Sequence, residues 1–170
     1  EFFAPVRIWN VTASNHAKDR TKTFFDFGQN FAGVLNVELQ ECSAGVTVVL
    51  QHAELLWPNN TLNRVNLGRE PGANATDVYI CNGVGPLEVY QPSFTYHGFR
   101  YASVEIIVSG NGTRQTSGGA AAAATSIHQV RGVVLHSNLQ QTGHFSTTHP
   151  VLQGIHHMTL WSQRSNLMSI

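Results

Sequence analysis

The chain has 170 residues, enough for one domain with a real core, and only 12 % of them are charged, with a formal net charge of zero. That balance excludes a nucleic-acid surface, which needs clustered Lys and Arg. No apolar run reaches the roughly 18 residues of a membrane helix, and no signal peptide is recognisable, so a mature chain or a piece of one is expected.

From the start, Glu1–Trp9 carries Phe2, Phe3, Val6, Ile8 and Trp9 around Pro5. Such an apolar terminus should pair with a sheet or dock on a neighbour. Asn10–Lys22 is polar and reads as a loop. Thr23–Gly33 reads as a strand running into a turn. Leu35, Val37 and Leu39 then alternate with polar residues as a half-exposed strand. A turn at 41–45 and a strand at 46–50 complete a hairpin. Gln51–Trp57 continues that strand to the turn signal Pro58-Asn59-Asn60. On it His52 and Glu54 share a face, a spacing better explained by a satisfied surface pair than by acid/base chemistry. Residues 62–76 read as loop, and Thr76–Cys81 and Leu87–Tyr90 as short strands.

Pro92–Val108 is the most strand-like stretch. Phe94, Tyr96, Phe99 and Tyr101 suit a pleated surface, and Gly98 between them predicts a bulge or a close backbone approach. Ala102, Val104, Ile106 and Val108 form the core face, opposite Tyr101, Ser103, Glu105 and Ile107. His97 and Arg100, wedged among rings, are expected to hydrogen-bond loops and stack on aromatics. Ser109–Ser126, with Ala120–Ala124, is low in complexity and carries no interpretation. Ile127–His136 is the last long strand. Thr148-His149-Pro150 predicts a helix start with a threonine N-cap, the helix running to about Asn166. Short strands without alternating helices make this an all-β antiparallel sandwich with one C-terminal helix, divided as an arm and loop (1–22), a sandwich (23–147) and a helix (148–170).

Three further patterns bear on function. Asn10, Asn59, Asn74 and Asn111 each begin an N-glycosylation sequon, in contexts that read as turns, where chance would give roughly two. Cys42 and Cys81 can pair but cannot alone form a zinc site. Together these predict a secreted, extracellular glycoprotein. The nine histidines are scattered rather than set at ligand spacing, so neither metal nor cofactor is expected.

Several segments together resemble the bacterial-type α-L-rhamnosidase family of inverting glycoside hydrolases. They are Phe25–Gly33, Gln51–Leu55, Ala75–Tyr79, Pro92–Tyr101, Val134–Ser137, Thr142–Phe145 and Trp161–Asn166. The resemblance implies a concanavalin-like β-sandwich followed by the first helix of an (α/α)6 catalytic barrel. In that family the acids of the active site follow the Trp-Ser-Gln-Arg helix, and this sequence stops just short of them. Inverting hydrolysis needs a proton-donating acid and a water-activating carboxylate. No acid here matches those positions, so no catalytic residue is assigned; Asp26, Glu54 and Asp77 are expected to serve structural hydrogen bonding. The expectation is a non-catalytic module partnered by the rest of a rhamnosidase-like chain. A self-assembling extracellular subunit, built from other copies of itself, is the alternative. A lectin-like binder stacking sugar on Trp57, Tyr90 or Tyr96 is a third reading.

Overall fold

A computed structural model describes residues 1–15, 18–65, 74–108 and 125–168. Within them the strands are β1 (Phe2–Phe3), β2 (Arg7–Asn15), β3 (Lys18–Gln40), β4 (Thr47–Ala53) and β5 (Leu55–Leu56). There follow β6 (Leu62–Asn63), β7 (Thr76–Ile80), β8 (Leu87–Tyr90), β9 (His97–Ile107) and β10 (Ser126–Val134), and then a helix, α1 (Pro150–Asn166). Asn111 and Ala120–Ala124 lie outside the described residues.

One strand builds both layers. The first half of β3 pairs antiparallel with β2 (Asn15↔Lys18 to Arg7↔Asp26) and with β9 (Lys22↔Glu105 to Gly33↔His97). Its second half pairs with β10 (Gly33↔Val134 to Gln40↔Ser126) and with β8 (Val37↔Tyr90). One layer is therefore β2-β3-β9-β4-β7 and the other β1-β10-β3-β8. The crossing lies between Asp26 and Phe31, where the register against β9 shifts. There Gly28 adopts a left-handed φ of 75° and its N–H donates to Asp26 Oδ1 at 2.8 Å. Extra residues bend a strand and re-aim it, which is how a chain passes from one sheet of a sandwich to the other. The glycine expectation thus moves to the partner strand. Gly98 pairs regularly with Ala32, and a Cβ there would meet only Glu54 Oε1 at 3.8 Å. The close approach is instead at Gly33, whose Cβ would fall 2.0 Å from the Val133 carbonyl oxygen.

Between the layers, Leu35, Val37 and Leu39 of β3 are fully buried with Val48 and Leu50 of β4 and Phe99 and Ala102 of β9. Cys42 and Cys81 form a disulfide, with Cα atoms 5.8 Å apart, tying the end of β7 to the β3–β4 turn. The predicted core face of β9 fades towards its end, because Ile106 is half-buried and Val108 exposed. Ser103 and Glu105, placed on the open face, are buried. The chain around β5 and β6 lies over that face: Thr61, Leu62 and Arg64 share a small cavity with Phe24 and Ser103, and Trp9 stacks on Phe24 and donates from Nε1 to the Asn60 carbonyl.

Three further expectations change. Asn10–Lys22 is not a loop; β2 and β3 run through most of it as a polar hairpin. Pro92–Tyr96 precedes β9 rather than belonging to it, and Phe94 has φ 63° and projects into solvent. The helix begins and ends where its pattern indicates, but the N-cap is His149, with no side-chain cap; Thr147 Oγ1, not Thr148, accepts from the His149 N–H. The N-terminal arm pairs with a sheet, Phe2 opposite Val133 and Phe3 opposite Gly132.

Candidate functional site

α1 meets the sandwich through one aromatic seam. Phe3 lies 5.4 Å from the Trp161 ring and 5.3 Å from Phe31, which in turn contacts Phe27 and Phe99. Beside the seam is a cleft of about 460 Å³ lined by Gln29, Asn30, Glu54, Tyr96, Met158 and Trp161, among others. Asn30 Nδ2 donates to Glu54 Oε1 across it at 2.9 Å. No residue of the helix is buried, and Val151, Leu152, Ile155 and Met158 are exposed. The helix is held by its last turns and offers most of its apolar surface to solvent. It is also too short and too polar to cross a membrane, as is true of every helix among the described residues.

Asp26 of the family-like motifs, and several acids outside them, are committed to local partners. Arg100 donates to Asp26 through Nε at 2.8 Å and Nη2 at 3.0 Å, and its guanidinium lies 5.0 Å from the Tyr101 ring centre. Burial works to raise the Asp26 pKa, but the Arg100 fork and the Gly28 N–H outweigh it and hold the carboxyl below the usual carboxylate range. Glu88 behaves alike: burial is overcome by the Tyr79 hydroxyl at 2.6 Å and the Asn82 and Gly83 N–H groups. The same bond, with burial, pushes Tyr79 up to about 12. Lys22 pairs with Glu105 at 3.1 Å, and Arg131 with Glu38. With their pKa values held down, Asp26 and Glu88 are poor proton donors at neutral pH.

A second polar cluster unites residues far apart in sequence. His97 Nε2 lies 3.0 Å and 3.1 Å from the Asp77 oxygens, and its ring stacks on His52 at 4.3 Å. His52, fully buried, has Nδ1 3.0 Å from the Ala75 carbonyl oxygen, so that nitrogen carries the proton. Its Nε2 then presents a lone pair with no hydrogen-bond partner, 3.9 Å from Asp77 Oδ2. Burial first, then the neighbouring His97, lowers the His52 pKa to about 4, so the ring is neutral at neutral pH. His52 and Glu54 are thus not a surface pair: one is core, and the other faces the cleft. The sequence scatters these histidines; β4, β7 and β9 assemble two of them.

The remaining candidates are dispersed. Tyr96 is half-exposed and lines the cleft, Trp57 is exposed at the 57–60 turn, and Tyr90 stacks on Tyr79 at 4.6 Å. Asn59, in the 57–60 turn, and Asn74, just before β7, are exposed, their Oδ1 atoms accepting from Thr61 and Thr76 of their own sequons. Asn10 is exposed too, but within β2 opposite Thr23 rather than in a turn.

An antiparallel sandwich with, among the described residues, one docked helix defines the class: an all-β, concanavalin-like domain. The family model described as the bacterial alpha-L-rhamnosidase concanavalin-like domain matches residues 16–136, and the chain belongs to that family. It is 37 % identical over 168 residues to an alpha-L-rhamnosidase of Streptomyces avermitilis, covering 98 % of this chain and 14 % of that protein. The structure of the alpha-L-rhamnosidase of Dictyoglumus thermophilum superposes with a TM-score of 0.77 at 30 % identity, over all of this chain and 16 % of that one. The Streptomyces avermitilis alpha-L-rhamnosidase complexed with L-rhamnose gives a TM-score of 0.71 at 32 % identity, over 100 % and 14 % of the two chains. The chain thus spans about one seventh of the length of the curated relatives it matches.

Proposed function

We propose that this sandwich is a non-catalytic module of a secreted α-L-rhamnosidase-like glycoprotein, supporting a helical catalytic barrel through α1 and the cleft beside it. The observation that carries the reading is a 17-residue helix with no buried residue and four large apolar side chains in solvent. Helices of this kind gain their stability from a packed apolar face, so this one is built for a further partner. The commitment of Asp26, Glu88 and Asp77 to local partners supports the non-catalytic part.

The test has two arms. The chain alone should not turn over an aryl α-L-rhamnoside, and measurable hydrolysis would end the non-catalytic reading. In a longer protein carrying the barrel, Ile155→Asp should lower activity or barrel stability, and indifference to it would end the supporting role. Secretion rests on the Cys42–Cys81 bridge and the exposed sequon residues Asn10, Asn59 and Asn74. Treatment of the natural protein with an endoglycosidase should lower its apparent mass.

The same exposed helix face, with Phe2 at 62 % and Val6 at 70 % exposure, also favours self-assembly as a second reading. Light scattering separates the two, because assembly predicts a mass that rises with concentration.

A further inference from the structure

We propose that His52, Asp77 and His97 form a site for a divalent transition-metal ion, with zinc as the probe ion. The three donor atoms lie within 4.8 Å of one another. Bonds to zinc of about 2 Å require donors some 3–4 Å apart, so a small inward movement closes the set around an ion. Two imidazoles and one carboxylate favour zinc or its first-row neighbours over calcium or magnesium, which take oxygen ligands.

The second shell supports this more than the distances do. A metal-binding histidine characteristically donates its other ring N–H to a carbonyl or carboxylate, fixing the tautomer that leaves the ligating nitrogen bare. His52 is in that state, with Nδ1 at the Ala75 carbonyl and Nε2 unpartnered beside Asp77. An imidazole lone pair and a carboxylate oxygen facing each other across 3.9 Å in a buried position is costly unless something positive lies between them. His97 supplies the third donor once its Nε2 proton moves to Nδ1 or to solvent, the metal taking the place of its hydrogen bond to Asp77. Asp77 and His97 retain some solvent exposure, which leaves an entry path and a position for water. An ion here joins β4, β7 and the start of β9 at one end of the sandwich.

The chain, stripped with a chelator and dialysed, is titrated with zinc against a chromogenic zinc indicator, and its melting temperature is followed in parallel. One equivalent should bind, with a rise in melting temperature as the metal favours the folded state. Cobalt should give visible absorption bands of a low-symmetry nitrogen–oxygen site. Asp77→Asn and His97→Gln should each weaken zinc more than about a hundredfold, since losing a ligand costs at least as much as losing its second shell, and should abolish the zinc-dependent rise. Both positions retain some exposure, and the metal-free melting temperature of each variant reports whether it folds. His156→Gln with His157→Gln should leave binding intact. The proposal is overturned if the chain binds no zinc, as a single bridging water would predict. It is equally overturned if the Asp77 and His97 variants bind as the parent does, or if the helix variant removes binding.

Discussion

β3 and α1 are the two longest elements among the described residues, and they are opposite in character. β3 runs through 23 residues and contributes nine buried apolar side chains, Phe24, Phe25, Phe27, Phe31, Ala32, Val34, Leu35, Val37 and Leu39. α1 runs through 17 residues and buries none. The strand is over-determined by its neighbours, whereas the helix is anchored by the Trp161–Phe3 contact and by the preceding segment, through Phe145 against His156, and leaves Val151, Leu152, Ile155 and Met158 in solvent. Regular structure and structural commitment are therefore separate properties here. The first comes from local pattern and the second from what the opposite surface supplies.

That contrast can be attacked at several points, and the largest effects lie on the strand. Gly33→Ala forces a Cβ to within 2.0 Å of the Val133 carbonyl oxygen, and backbone cannot yield cheaply. The expected loss is above about 4 kcal/mol in urea unfolding, enough to prevent folding of many domains. Phe31→Ala removes a fully buried ring touching Phe3, Phe27 and Phe99 and should cost about 3–5 kcal/mol by the same measurement. Reducing the Cys42–Cys81 bridge, which closes a loop with a sequence separation of 39, should lower the urea midpoint by an amount equivalent to about 2–4 kcal/mol.

Smaller effects come from polar pairs and from the helix. Asp26 and Glu88 have folded-state pKa values below their unfolded ones. Their contribution is present above the unfolded pKa, near 4, and is lost as pH falls through the folded values. Stability measured between pH 5 and pH 2 should therefore drop, and Asp26→Asn should flatten part of that drop. At neutral pH the same substitution should cost about 1–2 kcal/mol, held down because Arg100 remains in contact with water. Ile155→Asp and Met158→Asp should change the stability of the chain by less than about 0.5 kcal/mol, within the range of ordinary surface substitutions. A large loss from either would mean that the helix face is already covered.

How much of this was legible in the sequence follows the reach of each interaction. Helix bounds, β7 and β8 depend on neighbours a few residues away, and proline, glycine and alternation display them. β3 did not read as one strand, because Gly28 and Asn30 look like a turn when they lie at the bend where a single strand passes from one layer to the other. The β2–β3 hairpin was hidden by its polar residues, which between Val11 and Lys22 alternate with nothing apolar larger than alanine. Burial of Ser103 was invisible because the chain around Thr61–Arg64 that lies beside it is some forty residues away, and that of Glu105 because Lys22, its ion-pair partner, is more than eighty away. The histidine cluster is the extreme case: 25 positions separate His52 from Asp77, and 20 more His97. Only the spatial order β9-β4-β7 unites them. The signal available was weak, a histidine in each of two strand-like motifs and an aspartate in a third.

Because a single backbone serves as a member of both sheets, neither sheet can melt while the other stands. Unfolding of this domain should be one concerted event, with no stage in which half of the sandwich survives. A protease nick or an insertion between Gly28 and Gly33 would divide the molecule into pieces that each lack an interior.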